Sequence, residues 1–164
     1  IHNQIQLNEF GYDQTTLACS SNNESFWLYD AINFSIVKLN EYGQQVTNSG
    51  NLLQLTGHNL NPNYLIEAND LLYLNDSKIG ILVFDMYGGY LKTIPIQNLS
   101  YFQIIDEHIV YQKNGSIMDF DLKLLKEKKL NEVEEKYKFR GVSQGNIYYQ
   151  SNDSIIVMNS IYIE

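Results

Sequence analysis

The chain has 164 residues, of which 44% are hydrophobic and 13% aromatic, so it can bury the core of one domain and is not expected to be disordered. Its formal net charge is −8, and seven of its eleven basic residues lie between positions 123 and 140, so the rest of the chain is strongly acidic. Nucleic acid is therefore not expected as a partner, because phosphate binding needs a basic face. Its short apolar runs exclude a transmembrane helix, and its single cysteine excludes an internal disulfide.

Short segments rich in Tyr, Ile, Val and Phe recur along the chain between Asn, Asp, Ser and Gly residues, a pattern typical of β-strands joined by tight turns. In chain order, the second strand of each repeat is predicted at 26–29, 71–74, 108–111 and 147–150, and the third at 37–40, 82–85, 118–121 and 156–159. The third strands end at Asn40, Asp85, Asp121 and Asn159, with spacings of 45, 36 and 38 residues. This period is typical of β-propeller blades.

Turn residues support the same interpretation. Asn114-Gly115 predicts a two-residue hairpin turn, because both positions tolerate a positive φ. Asn75-Asp76-Ser77 and Asn152-Asp153-Ser154 occupy the equivalent turn of two different units. Each unit is therefore expected to be an antiparallel sheet of strands joined by tight turns.

A more polar fourth strand is predicted after each of the first three third strands, at 44–47, 91–96 and 126–130. Pro95 and the lysine-rich segment at 126–129 suit an exposed sheet edge, where they discourage pairing with other chains. A helix over 122–137 is the alternative for the last of these, since Leu130, Val133 and Tyr137 would share one helical face.

Together these patterns predict an all-β fold in a single domain. The domain is a β-propeller-like array of about four four-stranded antiparallel blades at 16–47, 64–96, 101–130 and 137–164. Residues 1–7 are a candidate closing strand, because the last unit has only a short fourth segment at 161–164. The alternative is that these units are part of a six- to eight-bladed propeller whose other blades lie elsewhere.

Three of the repeated runs resemble a known class of proteins. The runs at 26–30 (FWLYD), 83–85 (VFD) and 119–122 (DFDL) resemble blades in the C-terminal half of secreted β-propeller proteins of Bacteroidota, in the class with NHL-like and YVTN-like repeats. The resemblance implies a periplasmic or outer-membrane-associated location and a binding or scaffolding role. It transfers no functional residue, because the class has no defined site. The chain begins at Ile1 and shows no basic-then-apolar leader, which leaves a removed signal peptide and a cut from a longer protein as open alternatives.

The histidines are scarce. His2, His58 and His108 lie 56 and 50 residues apart and none has the helical spacing of a zinc hydrolase. His108 follows Asp106 and Glu107, which allows an acid–base or metal cluster, but a polar hairpin is the favoured interpretation.

Acidic residues offer two further candidate sites. Asp119 and Asp121 alternate on one strand face, as a calcium site or a glycosidase pair requires, although local capping of the strand end is favoured. The two Asn-Asp-Ser turns carry oxygen ligands suited to calcium but lack the EF-hand spacing, so ordinary turn chemistry is favoured.

Aromatic residues recur in the second strands. Trp27, Tyr73, Tyr111 and Tyr149 are predicted at comparable positions, where they pack neighbouring blades or hold a peptide or sugar. Packing is favoured because a fold needs equivalent residues in each repeat, whereas a binding site needs particular ones.

The sequence therefore assigns no catalytic, cofactor-binding or metal-binding residue, and no cofactor is expected. It favours a non-enzymatic protein-binding or scaffolding domain in a bacterial cell envelope, as a subunit of a larger assembly with a protein partner or further propeller blades. The alternatives are a propeller-type hydrolase or lyase with a carboxylate or metal site in a central channel, and a cytoplasmic interaction scaffold.

Overall fold

A computed structural model describes residues 4–22, 24–134 and 136–158. The chain forms two compact units, Ile1–Asn98 and Leu99–Glu164, and each contains two antiparallel sheets in which neighbouring strands are consecutive in sequence. No helix of the part described is both long and apolar enough to cross a lipid bilayer.

The first unit begins with a 3₁₀-helix at Leu7–Phe10 and has one short α-helix, α1 (Leu52–Thr56), between its sheets. Sheet 1 consists of β1 (Thr15–Ser21), β2 (Ser25–Asp30), β3 (Ser35–Asn40) and β4 (Gln45–Asn48). Sheet 2 consists of β5 (Pro62–Ala68), β6 (Leu71–Asp76), β7 (Gly80–Asp85) and β8 (Tyr90–Ile94).

The second unit contains sheets 3 and 4. Sheet 3 consists of β9 (Phe102–Ile105), β10 (His108–Lys113), β11 (Ser116–Asp121) and β12 (Lys126–Glu132). Sheet 4 consists, within the described residues, of β13 (Lys138–Ser143), β14 (Asn146–Ser151) and β15 (Ser154–Met158). Up-and-down antiparallel sheets of four strands are the blades of β-propellers, so the predicted fold class is confirmed.

The middle strands of sheets 1 and 2 form the core of the first unit. In β7, residues 81–84 are fully buried, and in β3 all residues from Ser35 to Leu39 are buried. Strands covered on both faces have continuous apolar sequences instead of alternating ones, because both sets of side chains leave water. This explains why the second and third strands were readable from the sequence.

The Asn114-Gly115 turn has the predicted geometry. Asn114 has a φ of 49° and Gly115 a φ of 68°, which are the two positive values that a type I′ hairpin turn requires. The turn joins β10 to β11 in the expected register, with Lys113 opposite Ser116.

The edge strand predicted at 126–130 is confirmed and the alternative of a helix over 122–137 is wrong, because residues 126–132 form the edge strand β12. Its register places Lys128 opposite Asp119 and Lys126 opposite Asp121 on β11. These cross-strand pairs of opposite charge favour the strand, and Leu130 and Val133 still reach the apolar cluster of the second unit.

Several predictions concern the two chain ends, which the structure describes only in part. Of the candidate closing strand 1–7, residues 1–3 lie outside the described part, residues 4–6 have no regular secondary structure and Leu7 opens the 3₁₀-helix. Asn159 and the fourth segment predicted at 161–164 also lie outside the described residues. Helix α1 was not anticipated; it has only five residues and begins where the Asn51 side chain accepts a hydrogen bond from the Gln54 N–H.

Candidate binding surface

His108 lies on β10 and pairs with a carboxylate of the next strand. Its Nδ1 is 2.8 Å from Oδ1 of Asp119, and both side chains are largely buried. Among the described residues no group of three His, Cys, Asp or Glu side chains is placed to hold a metal ion. The interactions of His108 therefore support the polar-hairpin interpretation, while His2 lies outside the described residues and His58 is in the loop after α1.

Asp121 does not form a site with Asp119. Its Oδ1 accepts hydrogen bonds of 2.8 Å from the N–H groups of Lys123 and Leu124, and these bonds, that of Leu124 first, lower the pKa of its carboxyl. Asp76, of the first Asn-Asp-Ser turn, likewise accepts from the N–H groups of Lys78 and Ile79. These contacts are those of residues that close turns.

The four repeated aromatic side chains are all buried, which agrees with a packing role. Their positions, however, are not all equivalent. Trp27 and Tyr73 are the third residues of β2 and β6, whereas Tyr111 and Tyr149 are the fourth of β10 and β14. Because successive side chains of a strand point to opposite faces, the two pairs lie on opposite faces of their sheets.

A buried charged cluster in the first unit was missed by the sequence interpretation. The Glu67 carboxylate on β5 accepts hydrogen bonds from the Ser21 hydroxyl, the Asn22 N–H and the Trp27 indole. Lys38 Nζ lies 3.9 Å from Glu67 Oε2 and 5.1 Å from the centroid of the Trp27 ring. Since β5 belongs to sheet 2 and the partners to sheet 1, Glu67 joins the two sheets.

Two glutamine side chains join the sheets of the second unit. Gln103 on β9 donates to the Val142 carbonyl at 3.0 Å and accepts from the Val142 N–H at 2.6 Å. Gln112 on β10 donates to the Tyr137 carbonyl and accepts from the Phe139 N–H, both at 2.8 Å. Each amide thus satisfies one donor and one acceptor near or on β13, so these glutamines hold structure rather than a ligand.

An apolar ridge is exposed on the first unit, formed by the β2–β3 turn and α1. Its four side chains are all exposed: Ile32, Phe34, Leu53 and Leu55. Two hydrogen bonds hold the turn and the helix together, one from the Leu52 N–H to the Phe34 carbonyl at 2.7 Å and one from the Asn51 amide to the Asn33 carbonyl at 3.1 Å. Clustered exposed apolar side chains of this kind mark interaction surfaces.

Phe34 has an uncommon backbone conformation on this ridge. Its φ is 51°, in the left-handed region that bulky residues rarely adopt, and its side chain is 38% exposed. The turn is held by Asp30, whose carboxylate accepts from the N–H groups of Ile32 and Asn33. Leu125 has the same conformation in the β11–β12 turn, with a φ of 53°, so the positive φ belongs to this type of turn. What distinguishes Phe34 is an exposed aromatic side chain next to α1.

Strand β15, the last strand of sheet 4 within the described residues, carries a second exposed apolar surface. Ile155 is 61% and Val157 50% exposed, whereas the equivalent third strands β3 and β7 are buried. The sequence of β15 (SIIVM) is that of an interior strand and carries no charge or proline to protect an edge.

No protein family matches this sequence, and no curated protein matches it. Solved structures are similar to it over most of its length. The computationally designed Ika4 protein is 13% identical, with a TM-score of 0.58 over 90% of this chain and 91% of its own. The extracellular domain of the putative hybrid two component system BT4673 from B. thetaiotaomicron is 15% identical, with a TM-score of 0.63 over 91% of this chain and 21% of its own.

The N-terminal domain of Nup159 is 8% identical, with a TM-score of 0.55 over 88% of this chain and 43% of its own. These similarities show the fold. The chain spans about a fifth of the length of the BT4673 domain and less than half of that of the Nup159 domain. At these identities the similarity carries no activity and no residue role.

Proposed function

We propose that this chain is a non-enzymatic protein-binding or scaffolding β-propeller domain, and that the apolar ridge is its contact surface. The observation that carries the proposal is Phe34, which is exposed and held at positive φ. The exposed part of an aromatic side chain offers a rigid apolar contact to a partner.

The surroundings of the ridge fit a protein partner better than a small ligand. The polar residues next to it in the sequence are amides and a histidine: Asn33, Asn51, Gln54 and His58. Protein interfaces combine an apolar centre with a polar rim in this way.

We further propose that the domain acts in a bacterial cell envelope, periplasmic or associated with the outer membrane, as a subunit of a larger assembly. The resemblance to secreted propellers of Bacteroidota with NHL-like or YVTN-like repeats supports this, as does the likeness to an extracellular domain from B. thetaiotaomicron. The exposed apolar strand β15 supports a larger assembly, because a further blade or a partner packed on this face of sheet 4 would cover Ile155 and Val157.

In the test, the purified chain is immobilised on a resin and incubated with an extract of envelope proteins from the organism that produces it, and the retained proteins are identified. Wild type is compared with the variant Phe34→Asn, Leu53→Gln, and with Leu124→Gln as a control, since Leu124 is 67% exposed and lies in the β11–β12 turn of the second unit. We expect a partner retained by wild type and Leu124→Gln and lost by the ridge variant. Equal retention by all three proteins would contradict a role for the ridge.

A further inference from the structure

A small cleft lies between the N-terminal segment and the β3–β4 turn of the first unit. It has a volume of about 270 Å³ and is lined by residues 4–6, Glu9, Phe10, Glu41 and Tyr42. The β3–β4 turn lies at the opposite end of β3 from Phe34, about 20 Å away for a strand of six residues. The cleft is therefore separate from the apolar ridge.

Two aromatic rings border the cleft. Phe10 is 42% and Tyr42 64% exposed, so both rings have faces open to solvent. The Phe10 ring lies against Gly43, where an added Cβ would come within 2.6 Å of the Phe10 Cε2 atom. Glycine at the residue after Tyr42 thus lets the Phe10 ring approach the turn that carries Tyr42.

The cleft is also acidic. Glu9 and Glu41 line it, and none of the described lining residues is basic. The hydrogen bond and the charge of Glu41, with a smaller contribution from Glu24, raise the pKa of the Tyr42 hydroxyl. The first unit as a whole has three basic and nine acidic side chains, and one of the three, Lys38, is taken by Glu67.

Aromatic faces and carboxylates around one small space attract organic cations, because the ring quadrupole and the negative charges act in the same direction. We propose that this cleft binds an alkylammonium cation, with the Phe10 and Tyr42 rings against its apolar groups and Glu9 and Glu41 near its charge. The volume suits a single cationic headgroup and is below that of most sites for drug-sized ligands.

The experiment is a titration of the intact chain with choline, followed by calorimetry and by backbone amide NMR shifts. The neutral comparison is 3,3-dimethylbutan-1-ol, which has the shape of choline without its charge. We expect saturable choline binding with a dissociation constant on the order of millimolar, shifts centred on residues 9–10 and 41–43, and no saturation by the neutral compound.

Matched variants separate the cleft from general charge effects. Tyr42→Leu keeps an apolar side chain without the ring and should weaken choline binding about fivefold, whereas Tyr87→Leu, the same change at an equally exposed turn of sheet 2, should leave it unchanged. Glu41→Gln should weaken binding and reduce its salt dependence. Binding equal for choline and its neutral analogue, absence of saturation, or an equal effect of the two tyrosine variants would overturn the proposal.

The source of the cation is distinguished by a second titration with phosphatidylcholine vesicles. Capture by vesicles that is lost in Tyr42→Leu would identify a lipid headgroup, and choline binding without capture would identify a free ion; both results support the proposal. Because Phe34→Asn leaves the cleft intact, its choline binding should equal that of wild type. A result that contradicts protein binding by the ridge would therefore leave the proposal of cation binding by the cleft unaffected, and the reverse also holds.

Discussion

The indole Nε1 of Trp27 on β2 donates a hydrogen bond to the carboxylate of Glu67 on β5, a residue 40 positions later in the sequence. The indole ring itself is fully buried, so its N–H needs an acceptor inside the protein. Glu67 supplies it, while Lys38 lies close enough to compensate the charge. The largest aromatic side chain of sheet 1 is therefore fixed by a residue of sheet 2.

Replacing Glu67 by Gln should destabilise the first unit by about 1–3 kcal/mol. The glutamine oxygen can replace Oε2, which accepts from Ser21 and Trp27, but the NH2 group would then face the Asn22 N–H. Lys38 would also lose its counter-charge. Urea unfolding followed by Trp fluorescence measures the change. Glu41→Gln, an exposed carboxylate of the same unit, is the control, with an expected change within about 0.5 kcal/mol; equal effects would contradict the role of Glu67.

The contribution of the Glu67 carboxylate to the stability of the first unit should depend on pH. Burial alone raises the pKa of the Glu67 carboxyl, but hydrogen bonds from Ser21, Trp27 and the Asn22 N–H, with the charge of Lys38, lower it by more, so the pKa is below its usual value. A lowered folded-state pKa stabilises the protein above the unfolded value of about 4.3 and ceases to do so as the pH falls through the folded value.

The difference in unfolding midpoint between wild type and Glu67→Gln should therefore be constant between about pH 6 and 8 and should shrink below about pH 4. Urea titrations at a series of pH values measure it. A difference that stays constant down to pH 3 would show that the carboxylate charge is not what stabilises the cluster.

The Cys19 thiol should be unreactive in the folded protein. Cys19 lies opposite Trp27 in the β1–β2 register, and burial, the largest cause, raises the pKa of its thiol to about 11. At pH 8 its thiolate fraction is then about 100-fold below that of an ordinary cysteine. Alkylation by iodoacetamide, followed by mass spectrometry, should be slow in buffer and fast in urea; rapid alkylation without denaturant would contradict this.

Replacing Gln103 by Glu should destabilise the second unit by about 1–3 kcal/mol at pH 7. The carboxylate can still accept from the Val142 N–H but cannot donate to the Val142 carbonyl, which it would face at close range. Protonation restores a donor, so the loss should diminish at pH 4. Thermal unfolding at both pH values measures the effect, and a loss of equal size at both would point to misfolding instead.

Phe34→Asn should change the unfolding free energy by less than about 1 kcal/mol, because the lower cost of the left-handed conformation for Asn offsets the lost contacts of a ring that is 38% exposed. Leu125→Asn is the comparison, since Leu125 is also exposed and has a φ of 53° in the β11–β12 turn. Urea unfolding of the two variants measures the change. A marked loss of stability in Phe34→Asn would mean that the Phe34 ring serves the fold and not a partner.

Much of the fold could be predicted because its signals are local. Short runs rich in β-branched and aromatic residues, such as 81–84, favour strands, and Asn114-Gly115 forms its turn from the backbone preferences of two adjacent residues. The favoured roles of Asp76 and Asp121 could also be anticipated, because a turn-closing aspartate bonds residues two and three positions later.

Little of the candidate surface could be predicted in this way. Phe34 and Leu53 read as ordinary apolar residues, and only their positions on a turn and a five-residue helix leave them exposed. The cleft likewise depends on Phe10 and Tyr42, which lie 32 positions apart in the sequence. They are neighbours in the structure because the Phe10 ring packs against Gly43, the residue after Tyr42.

The strands, their order along the chain and the repeat could be predicted from local sequence, since each depends on the side chains of a few neighbouring residues. The faces that the repeated aromatics occupy became known from the folded sheets, because a shift of one residue separates Trp27 and Tyr73 from Tyr111 and Tyr149. The tertiary structure decided that Glu67 is a buried partner of Trp27 and not a surface charge, because that choice depends on how two sheets pack and not on any local preference.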